Sequence, residues 1–266
     1  MSRHGDPLPP SLETYYAELD AGHIKEASSQ FSTGVRYALP PLVGAETDAR
    51  RVIEGRDDLL AWFEERGSKT YVHRLELCVH QGASCLVEGV GVEPSTGEII
   101  GTFVASAELD EDGLIDRYLS YRTSPSTETA PAGDGAAPAD AADVLHRYFD
   151  ALDAGAFDEA ADQFSEGVVY SHPPYRHTGL DGHERVVFRG RPELRAAFTA
   201  RGRQSFDHRL LVIGQRGPRC LVEGIVEGLP NGRDGSFISS LTLDGDGRIQ
   251  RYLSFYCEPA VPRRSA

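Results

Sequence analysis

Tyr15–Pro41, YYAELDAGHIKEASSQFSTGVRYALPP, and Tyr148–Pro174, YFDALDAGAFDEAADQFSEGVVYSHPP, agree at 15 of 27 positions without a gap. Agreement that dense means one unit has been duplicated, so a reading of either copy is a reading of both. The correspondence resumes downstream, with CLVEG at Cys85–Gly89 and Cys220–Gly224, HRL from His73 and His208, and RYLS from Arg117 and Arg251. The copies are expected over residues 8–122 and 143–258. Between them, residues 123–142, TSPSTETAPAGDGAAPADAA, are nearly all Ala, Pro, Gly, Ser, Thr and acid. Such a composition cannot offset ordering entropy and predicts a flexible linker.

Within the second copy, Leu145, Tyr148, Phe149 and Leu152 recur at helical spacing, and Gly155 follows as a C-cap. A second helix is predicted over Phe157–Phe164, a short strand over Val168–His172 ended by Pro173 and Pro174, and a third helix over Pro192–Arg201 with proline in its first turn. Four strands then follow, near Gln204–Gly214, Arg219–Gly228, Ser236–Leu243 and Arg248–Cys257, separated by Gly-, Asn- and Asp-rich turns. The first copy repeats the order, with Leu59–Arg66 as its third helix. Helices first and a strand meander last predict an α+β fold, with about three helices on a curved antiparallel sheet in each copy.

The chain of 266 residues carries a formal net charge of -14, which argues against nucleic acid as a partner. The deficit is uneven: residues 1–122 hold 11 basic and 21 acidic side chains, and residues 143–266 hold 16 and 17. On that count an anionic ligand would prefer the second copy. No apolar run reaches membrane-spanning length and the opening residues lack the apolar core of a signal peptide, so a cytoplasmic protein without membrane contact is expected. Cys78, Cys85, Cys220 and Cys257 lack CxxC spacing and sit in strand-like runs, implying small buried thiols and neither zinc nor disulfides.

The YxxALDAG-type first helix, the short strand ending in proline and the final DGxGRI hairpin resemble the nuclear transport factor two-like superfamily, in both copies. This superfamily includes ketosteroid isomerases, scytalone dehydratase, SnoaL-like polyketide cyclases, limonene epoxide hydrolases and purely ligand-binding members. The resemblance implies two cone-shaped α+β barrels, each open to an apolar ligand, forming a fused pseudo-dimer. In ketosteroid isomerases a helix-one tyrosine donates to the developing enolate and an aspartate before a proline takes the proton. Tyr148 falls on that tyrosine and His172 on that aspartate. The first copy keeps Tyr15 but has Leu39 at the base position. A second donor of that family falls near Ser239 and Ala105.

Tyr148 lies on the buried stripe of its helix, where it reads either as a core phenol or as a donor to negative charge. His172 alternates with Val168 and Tyr170 on one strand face, and an imidazole titrating near 6.5 suits a general base. His208 alternates with Phe206, Leu210 and Val212, as His73 does with Tyr71, Leu75 and Leu77. Each either satisfies a fixed backbone group or acts as an acid–base or orienting residue. Tyr148, His172 and His208 are thus the candidate catalytic set. The family register adds Tyr170, Val222, Gly224, Ser239, Tyr252, Ser254 and Tyr256 as cavity-lining residues, and Tyr15, Tyr37, His73 and Tyr118 in the first copy. Glu88 and Glu223 sit in central strands and are expected to face outward, Glu223 paired with Arg209 or Arg251. His177, Asp181, His183 and Glu184, near His172, lack metal-site spacing and read as a polar rim. Arg56 and Arg191 read as structural contacts to the preceding loop. Together these features predict a cofactor-independent acid–base enzyme, an isomerase, dehydratase or cyclase working on a small oxygenated organic molecule in the second copy. The alternative is a non-catalytic binding or scaffold protein.

Overall fold

A computed structural model describes residues 7–39, 50–67, 69–123, 139–173 and 185–263. The chain divides into two compact units, residues 128–260 forming one and residues 1–127 with 261–266 the other. Residues 124–138, the body of the predicted linker, lie outside the described residues, as do His177, Asp181, His183 and Glu184.

The first unit runs α1 (Pro10–Ala21), α2 (Ile24–Ser28), β1 (Phe31–Leu39), β2 (Arg51–Glu54), α3 (Arg56–Arg66), β3 (Val72–Gln81), β4 (Ser84–Val92), β5 (Ile99–Leu109) and β6 (Ile115–Thr123). The second repeats it as α4 (Ala141–Ala154), α5 (Phe157–Asp162), β7 (Phe164–His172), β8 (Val186–Arg189), α6 (Arg191–Arg201), β9 (Asp207–Arg216), β10 (Arg219–Glu227), β11 (Gly235–Leu243) and β12 (Ile249–Cys257). Each unit is α+β, with a six-stranded sheet of order β2-β1-β6-β5-β4-β3 or β8-β7-β12-β11-β10-β9.

The sheets are mixed where antiparallel strands were expected. β1 pairs with β6, and β7 with β12, in parallel, while the other neighbours are antiparallel. The strand after the helical pair enters the sheet beside the last strand of the meander, and this places Tyr170 directly opposite Tyr252, and Tyr37 opposite Tyr118. The four-residue strands β2 and β8 were not foreseen.

Local chemistry explains the boundaries. α1 and α4 stop at Gly22 (φ 80°) and Gly155 (φ 78°), where the left-handed cap is open to a residue without Cβ. Asp140 caps α4 by accepting from the Ala142 amide at 2.9 Å. The hairpin before β6 turns on Asp110, whose carboxylate accepts from the amides of Asp112 and Leu114, and Asp244 does the same for Asp246 and Arg248 before β12. Each unit has its own core: Val144, Leu145, Tyr148, Phe149 and Leu152 of α4 meet the inward residues Cys220, Val222, Phe237, Leu241 and Tyr252.

Residues 261–263 belong with the first unit. The Arg117 guanidinium, 1% exposed, donates from Nε and Nη2 to the Val261 carbonyl at 3.1 and 3.0 Å, and Arg263 pairs with Glu108. All four cysteines are buried free thiols. Among the described residues no helix is long and apolar enough to cross a membrane.

Candidate functional site

The interior of the second unit is built around three phenols and a hydroxyl. Tyr148 on α4 and Tyr170 on β7 share a hydrogen bond of 3.2 Å between their hydroxyls. Tyr170 stacks on Tyr252 of β12 at 4.9 Å and 12°, a consequence of the parallel β7–β12 register. Ser239 of β11 donates to the Tyr252 oxygen at 2.9 Å. Phe164 and Phe198 wall the cluster. Burial, followed by the neighbouring phenols Tyr170 and Tyr252, pushes the Tyr148 hydroxyl well above its usual range, so it is a neutral donor or acceptor and never a phenolate at working pH.

His172 closes β7 on the same strand face as Tyr170, its ring 5.9 Å from both Tyr170 and Phe188, and only 6% exposed. Its Nδ1–H donates to the Pro173 carbonyl at 2.5 Å, which assigns the lone pair of the neutral ring to Nε2. Burial drives its pKa down to about 4. The carbonyl bond opposes that shift, and the Arg185 and Arg201 guanidiniums add to it. The untuned value near 6.5 expected from the sequence is therefore corrected: His172 is an unprotonated, weak base across neutral pH.

Arg185 was missed by sequence reading. It donates to Ser171 Oγ at 2.7 Å, to the Ser171 carbonyl at 3.0 Å and to the Ser254 carbonyl at 2.5 Å, bridging β7 and β12 beside His172. Nothing in its spacing marked it, because it stands between the Pro-rich loop and the unforeseen β8.

His208 is not gathered with the phenols. Its Nδ1 bonds Asp153 Oδ1 at 2.6 Å, its backbone amide bonds Asp153 Oδ2 at 2.7 Å, and its ring lies against Phe149, Phe206 and Phe237. His73 and Asp20 repeat this clasp at 2.6 and 2.7 Å. Each aspartate ties the end of its unit's first helix to the start of β3 or β9, the strand at the sheet edge away from the third helix. The detectable signal was the repeated LDAG aspartate paired with the repeated HRL histidine.

Other expected lining residues are redistributed. Gly224 leaves no room for a ligand: a Cβ there would stand 2.3 Å from the Phe237 ring and 2.8 Å from the Arg209 carbonyl, so the glycine exists to let Phe237 lie on the strand. Val222 is fully buried core. Tyr256 donates its hydroxyl to Glu258 at 2.8 Å, away from the phenol cluster. Ser254 stands directly opposite Ser239. Glu223 is fully buried; Arg209 pairs at the surface with Glu227 at 2.8 Å, and the buried Arg251 donates to Ser240 among its contacts. Arg191 pairs with Asp162 and Glu166, and Arg56 donates to the Phe31 carbonyl, so both anchor their helices to the entry of β7 or β1.

The first unit holds a variant of the same cluster. Tyr15 bonds Tyr37 at 2.8 Å, and Tyr37 stacks on Tyr118 at 4.9 Å and 14°. Here the second hydroxyl on Tyr118 comes from Tyr16, at 2.8 Å. In the second unit Phe149 replaces Tyr16, and Ser239 stands where the first unit has Ala105, each opposite the serine of the last strand. One buried hydroxyl has moved from a helix to a strand while serving the same phenol. Cys78, His80 and Cys85 bring three soft donors within 4.8 Å of one another, with the two sulfurs 3.3 Å apart and His80 Nε2 bonded to the Pro7 carbonyl at 2.9 Å.

The SnoaL-like domain family matches residues 145–252. Among solved structures, a nuclear transport factor two-like protein of unknown function from Burkholderia xenovorans is 19% identical over 46% of this chain and 87% of its own, with a TM-score of 0.36. A putative ketosteroid isomerase from Kribbella flavida is 20% identical over 46% of this chain and 82% of its own, TM-score 0.34. A putative polyketide cyclase from Sinorhizobium meliloti is 22% identical over 42% and 93%, TM-score 0.34. No curated protein matches the chain. Residues 145–252, most of the second unit, thus match a SnoaL-like domain, and the internal repeat with the identical strand order makes the first unit a second copy of the same fold.

Proposed function

We propose that the second unit is a cofactor-independent acid–base enzyme acting on a small oxygenated carbonyl compound. His172 Nε2 takes a proton next to a carbonyl, and the Tyr148–Tyr170 hydroxyl pair steadies the resulting enolate. The observation that supports this reading is the placement of His172 on the same β7 face as Tyr170, whose hydroxyl bonds Tyr148 of α4, with the His172 Nδ1–H held by the Pro173 carbonyl. A base titrating near 4 suits a proton already acidified by two flanking carbonyls, so a 1,3-dicarbonyl or polyketide-like substrate fits better than a simple ketone. Isomerisation, dehydration and cyclisation all begin with this step.

A second reading, binding without chemistry, is supported by one observation: the hydroxyls of Tyr148 and Tyr170 bond each other and Ser239 bonds Tyr252, as in a satisfied core. Proton exchange separates the two. With ethyl acetoacetate in deuterated buffer near pD 5, hydroxide-driven exchange is slow while His172 is still unprotonated. The enzyme should then accelerate α-deuteration, and His172→Ala should reduce the acceleration by about 10²–10⁴-fold. Exchange no faster than buffer, or undiminished in His172→Ala, would leave the binding reading standing.

A further inference from the structure

The chain contains 25 arginines and two lysines, Lys25 and Lys69. Lys25 is exposed on α2. Lys69, between α3 and β3, is half-buried, and its Nζ donates to His73 Nε2 at 3.1 Å. His73 Nδ1–H in turn donates to Asp20 Oδ1 at 2.6 Å, and Asp20 Oδ2 accepts the His73 amide at 2.7 Å. The second unit has the clasp without the amine, because Gln204 stands in place of Lys69 and is bonded to the carbonyls of Arg201 and Gly202. Lys69 lies 5.1 Å over the ring of Tyr71, and Arg122 lies 4.5 Å over the same ring and donates to its hydroxyl at 2.6 Å. Arg66, at the end of α3, stacks over Trp62 and Phe63, and its Nε and Nη2 are buried with no hydrogen-bond partner among the described residues.

We propose that the first unit carries a carbonyl-capture site in which Lys69 forms an imine with a small oxo acid, His73 and Asp20 relay its protons, and Arg66 and Arg122 receive the carboxylate. The relay fixes the geometry. With Nδ1–H held by Asp20, Nε2 faces Nζ as a proton acceptor, and an imidazolium formed there is stabilised by the aspartate. Nζ attacks the carbonyl carbon, and the C–O π pair moves to oxygen. The two amine protons pass in turn through Nε2 to that oxygen, which leaves as water. Amine plus carbonyl thus gives imine plus water, with no oxidant or reductant. The free amine this requires is available: burial, with Arg66 and Arg122 adding and Asp20 opposing, pushes Lys69 down to about 6. The groups facing Nζ are Asp20 from α1, Arg66 from α3, Tyr71 and His73 at β3, and Arg122 from β6. Whole-copy charge had pointed to the second unit for an anion, but here two guanidiniums, Arg66 and Arg122, converge on Lys69 within the more acidic half. This site is independent of the phenol cluster of the second unit.

Lys25 is a built-in reference. At pH 6.5 an amine titrating near 6 is mostly free base. The full-length protein is incubated at pH 6.5 with glyoxylate and cyanoborohydride, with propanal as the uncharged control, and the modified lysines are quantified by peptide mass mapping. Glyoxylate should modify Lys69 at least about 100-fold faster than Lys25, and the Lys69 to Lys25 ratio should be higher with glyoxylate than with propanal. Equal modification of the two lysines, or an unmodified Lys69, overturns the site. A ratio equal for both probes overturns the oxo-acid assignment. Lys69→Arg must abolish the fast modification.

Discussion

Replacing Tyr16 by Phe tests whether the two units solve one packing problem in two ways. The substitution deletes a hydroxyl bonded to Tyr118 at 2.8 Å in a fully buried setting. Tyr118 also receives hydrogen bonding from Ser120 and Tyr15, so the loss is that of one exchanged bond, about 1 kcal/mol, and not the about 1–3 kcal/mol of an orphaned polar group. Ala105→Ser adds a hydroxyl to β5 opposite Ser120, the register at which Ser239 serves Tyr252 in the other unit. Alone it crowds Tyr16 and should be neutral or destabilising by up to about 1 kcal/mol. Together the two changes recreate the second unit's arrangement and should recover most of the loss, a coupling of about 1 kcal/mol. The assay is built in: the chain's single tryptophan, Trp62, packs in this core 5.8 Å from Tyr37, so its fluorescence in urea follows the first unit. A 1 kcal/mol loss moves the midpoint by roughly 0.3–1 M. If the double variant is no more stable than Tyr16→Phe, the hydroxyl exchange is not compensatory and the reasoning fails.

Gly224→Ala drives a methyl against the Phe237 ring and the Arg209 carbonyl, so it should cost about 1–3 kcal/mol in urea unfolding followed by circular dichroism, while Gly167→Ala, whose Cβ meets nothing within 4 Å, should not show that clash. His172 has a folded pKa of about 4 against an unfolded value near 6.5, so the unfolded chain binds more protons between them; its contribution to stability is present above about 6.5, declines as pH falls and levels off below 4. Proton NMR should find His172 titrating near 4, and a value at or above 6.5 would remove the buried-base argument.

The duplicated motif made most of the fold legible, because periodicity, capping glycines and turn aspartates are local signals. β8 escaped because four residues beside a Pro-rich loop carry too little pattern. Tyr148, Tyr170 and Tyr252 were readable by face and family register, yet their mutual contact depends on the parallel β7–β12 pairing, which no local signal encodes. Gly224 was misread because a missing side chain looks like space, when a ring thirteen positions later in the chain fills it. Lys69 was passed over because lysines usually point to water. Its rarity among so many arginines was the available clue.

The migrating hydroxyl also limits how the two repeats can exchange sequence. A crossover joining α1 of the first unit to β11 of the second would place Tyr16 with Ser239, two hydroxyls crowding one phenol. The reciprocal product would place Phe149 with Ala105 and supply none. Recombination between tandem copies ordinarily keeps them alike, but here each product inherits half of a two-part solution. Once both parts had changed, the copies were isolated from each other within a single gene and free to diverge further.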